Sequence, residues 1–68
     1  MTYEEACDFI MPIGKYESRS LSLLEIAQDY GDRGYLMWLK QRREEDENHE
    51  PDDLDEALEV FLDGYEGD

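Results

Sequence analysis

The sequence predicts a small α+β domain: a short N-terminal β-hairpin packed on two or three helices, closed by an acidic C-terminal amphipathic helix. Three observations predict it. The apolar stretch Phe9-Ile10-Met11 runs into Pro12 and Gly14, which reads as a strand followed by a bend. Two capping boxes, Thr2-Tyr3-Glu4-Glu5 and Ser22-Leu23-Leu24-Glu25, announce helix starts. Leu54, Ala57, Leu58, Phe61 and Leu62 recur at helical spacing with acids between them.

Taken in order, Thr2 and Glu5 open a short helix that Pro12 keeps short. Asp8 to Ile13 is expected as a strand, Tyr16-Glu17-Ser18 as the turn, and Arg19-Ser20-Leu21 as a short returning strand. Ser22 and Glu25 start a second short helix through about Asp29, burying Leu23, Ile26 and Ala27. Gly31 stands just past its end, where a left-handed residue terminates a helix. Asp32 is placed to cap the next helix, Arg33 to about Glu47. In that helix Tyr35, Leu36, Trp38 and Leu39 form one apolar stripe. Its later part, KQRREEDEN, is polar all round and should project into solvent, with surface pairs each worth about 0.3–0.5 kcal/mol. Pro51 suits the first turn of the last helix, which Gly64 closes, and YEGD should fray.

The chain is one domain, 1–68, and buries only roughly 60% of its unfolded surface. Cys7 is the single cysteine and His49 the single histidine, so neither an intrachain disulfide nor a closed zinc site can reinforce it. The core must come from packing alone or from a partner chain, and a homo-oligomer is one way for a small chain to find it. The opening, MTYEEACDF, has no signal-peptide character, and no apolar run approaches the ~20 residues that span a bilayer. With a lone thiol suited to a reducing compartment, a soluble cytoplasmic protein is expected.

Charge is unevenly placed. All six Lys and Arg residues lie at or before Arg43, against seven acids, whereas 44–68 holds thirteen acids and no Lys or Arg. The formal net charge of −14 is therefore almost entirely C-terminal. Phosphate contact needs cations, so this half is a poor DNA-binding surface. It fits a solvated helix face, a surface that meets a basic partner or mimics nucleic acid, or salt adaptation. The candidate acidic face is Asp52, Asp53, Asp55, Glu56 and Glu59.

Candidate chemistry is sparse. His49 sits in an acidic connector with no Ser or Cys beside it, as a solvated loop histidine would. The acids around Cys7 would raise a thiol pKa, so Cys7 reads as a small buried apolar residue. The acidic segment lacks the glycine-centred calcium loop, and no glycine-rich phosphate loop occurs, so no metal, cofactor or catalytic residue is assigned and the chain reads as a non-enzyme. Trp38 is assigned to core packing and Tyr35 to a half-buried position, with an exposed platform for a base or partner side chain as the alternative. Lys15, Tyr16 and Arg19 form a small candidate contact patch in the turn, alongside Tyr35.

Three pieces in order, Met11 to Tyr16 (MPIGKY), Ser20 to Ala27 (SLSLLEIA) and Gly34 to Leu39 (GYLMWL), carry a resemblance. Together, over roughly residues 9–40, they resemble the C-terminal domain that follows the nuclease domain in exodeoxyribonuclease X-like proteins, found also in small stand-alone bacterial and phage proteins. Ile13 stands where the pattern favours Phe, Ser18 where it favours Gly, one residue is inserted around Leu23-Leu24, and 51–63 lies outside the pattern. Catalysis in those proteins belongs to the other domain, so the resemblance implies an accessory role in DNA metabolism. The functional expectation is a non-catalytic adaptor working by protein–protein contact, its partner a basic DNA-metabolism protein. The alternatives are a phage-borne acidic DNA-mimic inhibitor of a basic nucleic-acid-binding protein, and weak single-strand binding through Lys15, Tyr16 and Arg19.

Overall fold

The chain folds as five helical segments around one apolar core, and the computed structural model describes residues 1–65. Helix α1 (Tyr3–Cys7) starts at a complete capping box: Thr2 accepts from the Glu5 N–H, and Glu5 accepts from the Thr2 N–H. A 3₁₀ helix (Gly14–Arg19) and a π-helical turn (Glu25–Asp29) follow. Helices α2 (Arg33–Glu45) and α3 (Asp53–Gly64) complete the chain.

The expected hairpin is absent, and with it the α+β class: among the described residues there is no sheet, and the molecule is all-helical. What remains is a single antiparallel bridge between Ile10 and Ser22, flanked by Met11 N–H donating to Leu21 (2.8 Å) and Leu23 N–H donating to Phe9 (3.0 Å). Pro12 has no N–H to extend that ladder. Gly14, at φ +84°, turns the chain directly into the 3₁₀ helix, which takes up Tyr16-Glu17-Ser18, and Ser20 ends it in the left-handed region at φ 53°. The two segments therefore lie side by side but never run as strands.

The second capping box forms as its spacing predicts, with Glu25 N–H donating to Ser22 Oγ at 3.2 Å. The following turn is wider than an α-turn, because Tyr30 N–H reaches back to the Glu25 carbonyl at 3.1 Å. It buries Leu23, Ile26 and Ala27 as expected, and Gly31 ends it at φ +61°.

Leu36 and Leu39 of α2 face the core, as do Leu54, Ala57, Leu58 and Phe61 of α3. Met11, Leu23, Ile26, Leu36, Leu58 and Phe61 are the largest fully enclosed side chains. Each withdraws enough apolar surface to contribute about 1.5–3 kcal/mol. Helix α1 lies against α3, with the Tyr3 and Phe61 rings stacked at 5.9 Å and the Met1 amine paired with Glu56. Cys7 is buried, as an apolar residue would be.

Two details differ from the sequence expectation. Helix α3 starts at Asp53, two residues past Pro51, because Asp52 caps it and bonds reciprocally with Asp55. The Tyr65 ring stacks on Phe61 at 5.0 Å, so the expected fraying does not include it; the rest of YEGD lies outside the described residues. No helix among the described residues is long and apolar enough to cross a membrane.

Candidate functional site

Helix α2 presents three stripes, and they organise the surface. Leu36 and Leu39 point inward. Tyr35, Trp38 and Arg42, at spacings of three and four, run along the side that meets the 3₁₀ helix. Arg33, Met37 and Lys40 run along the side that meets α3.

The first outer stripe joins an aromatic ladder. Tyr30 and Tyr16 meet edge to face at 5.5 Å, Tyr16 and Tyr35 at 5.6 Å, and Tyr35 stacks on Trp38 at 5.9 Å. Cations lie on these rings: Arg19 is 5.9 Å from the Tyr30 centroid, Lys15 is 4.8 Å from that of Tyr35, and Arg42 is 5.5 Å from that of Trp38. Two of the sequence pieces of the resemblance thus meet in space, Lys15 and Tyr16 lying against Tyr35.

Asp32 fixes the ladder's centre. Its Oδ2 accepts the Tyr16 hydroxyl at 2.5 Å and pairs with Lys15 Nζ at 2.6 Å. These partners, Lys15 first, hold the Asp32 carboxyl below its ordinary pKa, and Asp32 in turn raises that of Lys15. Asp32 also raises the Tyr16 pKa by accepting its hydroxyl. Asp32 was expected to cap α2; its carboxylate instead makes no cap bond and is used across the fold.

The predicted patch is divided by burial. Tyr16 is buried, Tyr35 half-buried, and Lys15 and Arg19 exposed. Trp38 corrects the core assignment: it is 53% exposed, because Leu36 and Leu39 fill the inward stripe. Tyr30 and Arg42 join the surface: only the fold brings Tyr30 to Tyr16, whereas Arg42 meets Trp38 through the i,i+4 spacing of one helix, a signal the sequence carries.

The predicted acidic face is likewise split. Arg43 reaches from α2 to bond Asp55 Oδ1 through Nε at 2.7 Å and Asp52 Oδ2 through Nη2 at 2.8 Å. His49 Nε2 lies 2.6 Å from Asp55 Oδ2 and must be the donor, since a carboxylate only accepts. His49 is thus half-buried rather than a solvated loop residue, and Arg43 is drawn out of the expected solvent-projecting segment. Arg43 first, with His49, pulls the Asp55 carboxyl well below the usual carboxylate range. Glu56 holds the Met1 amine, while Asp53 and Glu59 make no ion pair with a described residue.

His49, Asp52 and Asp55 each bring a potential metal-ligating atom to within 4.8 Å of the others. Every carboxylate oxygen of that trio already accepts from an N–H, and the Arg43 guanidinium stands where a cation would. The trio is a structural clasp between α2, the connector and the start of α3.

No family model matches the chain, and neither does any curated protein or solved structure.

Proposed function

We propose that the chain is a non-catalytic binding module that acts by protein–protein contact through the outer face of α2. One observation carries this: Trp38 is 53% exposed yet braced by Tyr35 and Arg42. A large exposed aromatic held in one orientation binds with little loss of side-chain freedom, and Trp, Tyr and Arg are the residues that dominate protein interfaces. Met37, 49% exposed, extends the apolar surface to the other side of α2. The partner is a basic protein, attracted by the net charge of −14. The accessory role in DNA metabolism rests on the resemblance of Met11–Tyr16, Ser20–Ala27 and Gly34–Leu39 alone, and a cytoplasmic setting suits the unpaired Cys7.

Single-strand binding draws less support. Stacking on a base needs a free ring face, whereas Tyr16 is buried and Arg42, Lys15 and Arg19 already lie on rings of the ladder. The acidic-mimic reading keeps only Asp53 and Glu59 of its five residues outside internal pairs.

The test is a quantitative pull-down from native lysate with the intact chain and with Trp38→Ala. A protein retained by the first and lost by the second supports the assignment. Equal capture by both removes it.

A further inference from the structure

A groove of about 410 Å³ lies between α2 and α3, away from the aromatic ladder. Its apolar floor is Met37, 49% exposed, with the half-buried Leu62. The α2 bank carries Arg33 and Lys40, and the α3 bank carries Glu59 and Asp63.

The banks are unequal. Lys40 is neutralised by Glu44 at 2.6 Å. Glu59 and Asp63, one helical turn apart, make no ion pair with a described residue. The groove therefore presents apolar surface between the two unpaired acids of the α3 bank and a single unpaired cation, Arg33, on the α2 bank. Arg33 lies over the Tyr65 ring at 5.9 Å, and its Nε is out of solvent with no hydrogen-bond acceptor among the described residues.

The geometry points to this groove as the seat of a basic amphipathic helix from the partner protein; the assignment rests on the protein-binding reading above. The volume is of the size that takes one or two large side chains. A helix laid along two helices places its apolar residues at i, i+3 and i+4 into such a groove. Its Lys or Arg residues then meet Glu59 and Asp63. Met37 suits the role because an unbranched, polarizable thioether adapts to varied apolar shapes. The charge of −14 steers such a helix towards the molecule, while the apolar floor supplies register.

The experiment titrates the intact chain into three labelled synthetic peptides: a Leu/Lys amphipathic helix, a scramble of identical composition, and a Leu/Glu helix of the same pattern. The Leu/Lys helix is expected to bind at least about tenfold more tightly than the scramble, and the Leu/Glu helix not at all. Met37→Asp and the pair Glu59→Lys with Asp63→Lys, all at exposed positions, are each expected to weaken binding at least about tenfold. Equal binding of scramble and helix, no binding of the helix, or binding indifferent to Met37→Asp overturns the assignment. If Trp38→Ala abolishes binding while Met37→Asp leaves it intact, the groove is refuted and protein contact through the ladder side of α2 stands.

Discussion

The Tyr16 hydroxyl and the Asp32 carboxylate meet at 2.5 Å, and the same Asp32 oxygen holds the Lys15 ammonium. One carboxylate thus ties the 3₁₀ helix to the start of α2. The pKa directions give this bond a two-sided pH signature. Asp32 is depressed, so the stability it confers is present above the unfolded carboxylate value of about 3.9 and is lost as pH falls through its folded value. Lys15 and Tyr16 are raised, so their contribution is present below the unfolded values of about 10 and is lost as pH rises through their folded ones. Urea midpoints measured across pH should fall at both ends, and Asp32→Asn should flatten the alkaline limb. An alkaline limb identical in wild type and Asp32→Asn would show that the contact contributes nothing.

Gly14 is required twice over. Its φ of +84° is one that a side chain adopts at a cost of about 1–2 kcal/mol. A Cβ there would also lie 2.0 Å from the Tyr35 hydroxyl oxygen. Gly14→Ala should therefore destabilise by more than the backbone strain alone. Tyr35→Phe removes the hydroxyl and should recover the steric part in the double variant, leaving the strain. A double-mutant cycle from urea denaturation measures the coupling, which should be stabilising; strict additivity would place the whole effect in the backbone.

These two residues also show what the sequence made legible. Capping boxes at Thr2 and Ser22, the left-handed Gly31 and the apolar stripe of α3 were readable because each depends on neighbours within one helical turn. The hairpin does not form because alternation near Phe9 to Ile13 is weak and Pro12 stops the ladder at one bridge. Trp38 was misplaced because periodicity gives a helix its apolar side but not how wide a strip the core takes; here Leu36 and Leu39 suffice. Asp32 holds the N-cap position of α2 that its place in the sequence predicts, but its carboxylate, like the Arg43 guanidinium, is taken up by a partner far along the chain, 16 and 12 positions away. No local pattern encodes such a contact.

The Arg43 clasp should behave as one unit. Arg43 is 13% and Asp55 21% exposed, so breaking the pair leaves a charge poorly solvated. Arg43→Met is expected to cost about 1–3 kcal/mol, and Asp55→Asn a similar amount because it also weakens the capping box. The double variant should cost less than the sum of the two. Acidification should weaken the clasp in the same direction as for Asp32, since the Asp55 carboxyl is depressed: its contribution is present above about pH 4 and is lost below. Urea denaturation of the four proteins at neutral pH and again in acid checks both statements; additive losses would mean the two side chains act independently.

Trp38 and Leu36, two positions apart on α2, should separate binding from folding. Leu36 is fully buried, and Leu36→Ala leaves a cavity that the neighbours cannot wholly close, costing about 2–5 kcal/mol. Trp38 is half exposed, and its removal forfeits the Tyr35 stack and the Arg42 contact, about 1–2.5 kcal/mol together. If Trp38 were present chiefly to stabilise the fold, Trp38→Ala would approach the cost of Leu36→Ala. If it is an interface anchor, the fold survives and partner affinity falls by at least about 30-fold, the equivalent of the 2 kcal/mol that marks a dominant interface residue. Thermal melts of both variants, with the affinity of Trp38→Ala for the partner retained by the wild-type chain, decide between the two. A protein that binds through α2 has reason to keep its largest aromatic outside the core, braced on one side by Tyr35 and contacted by Arg42.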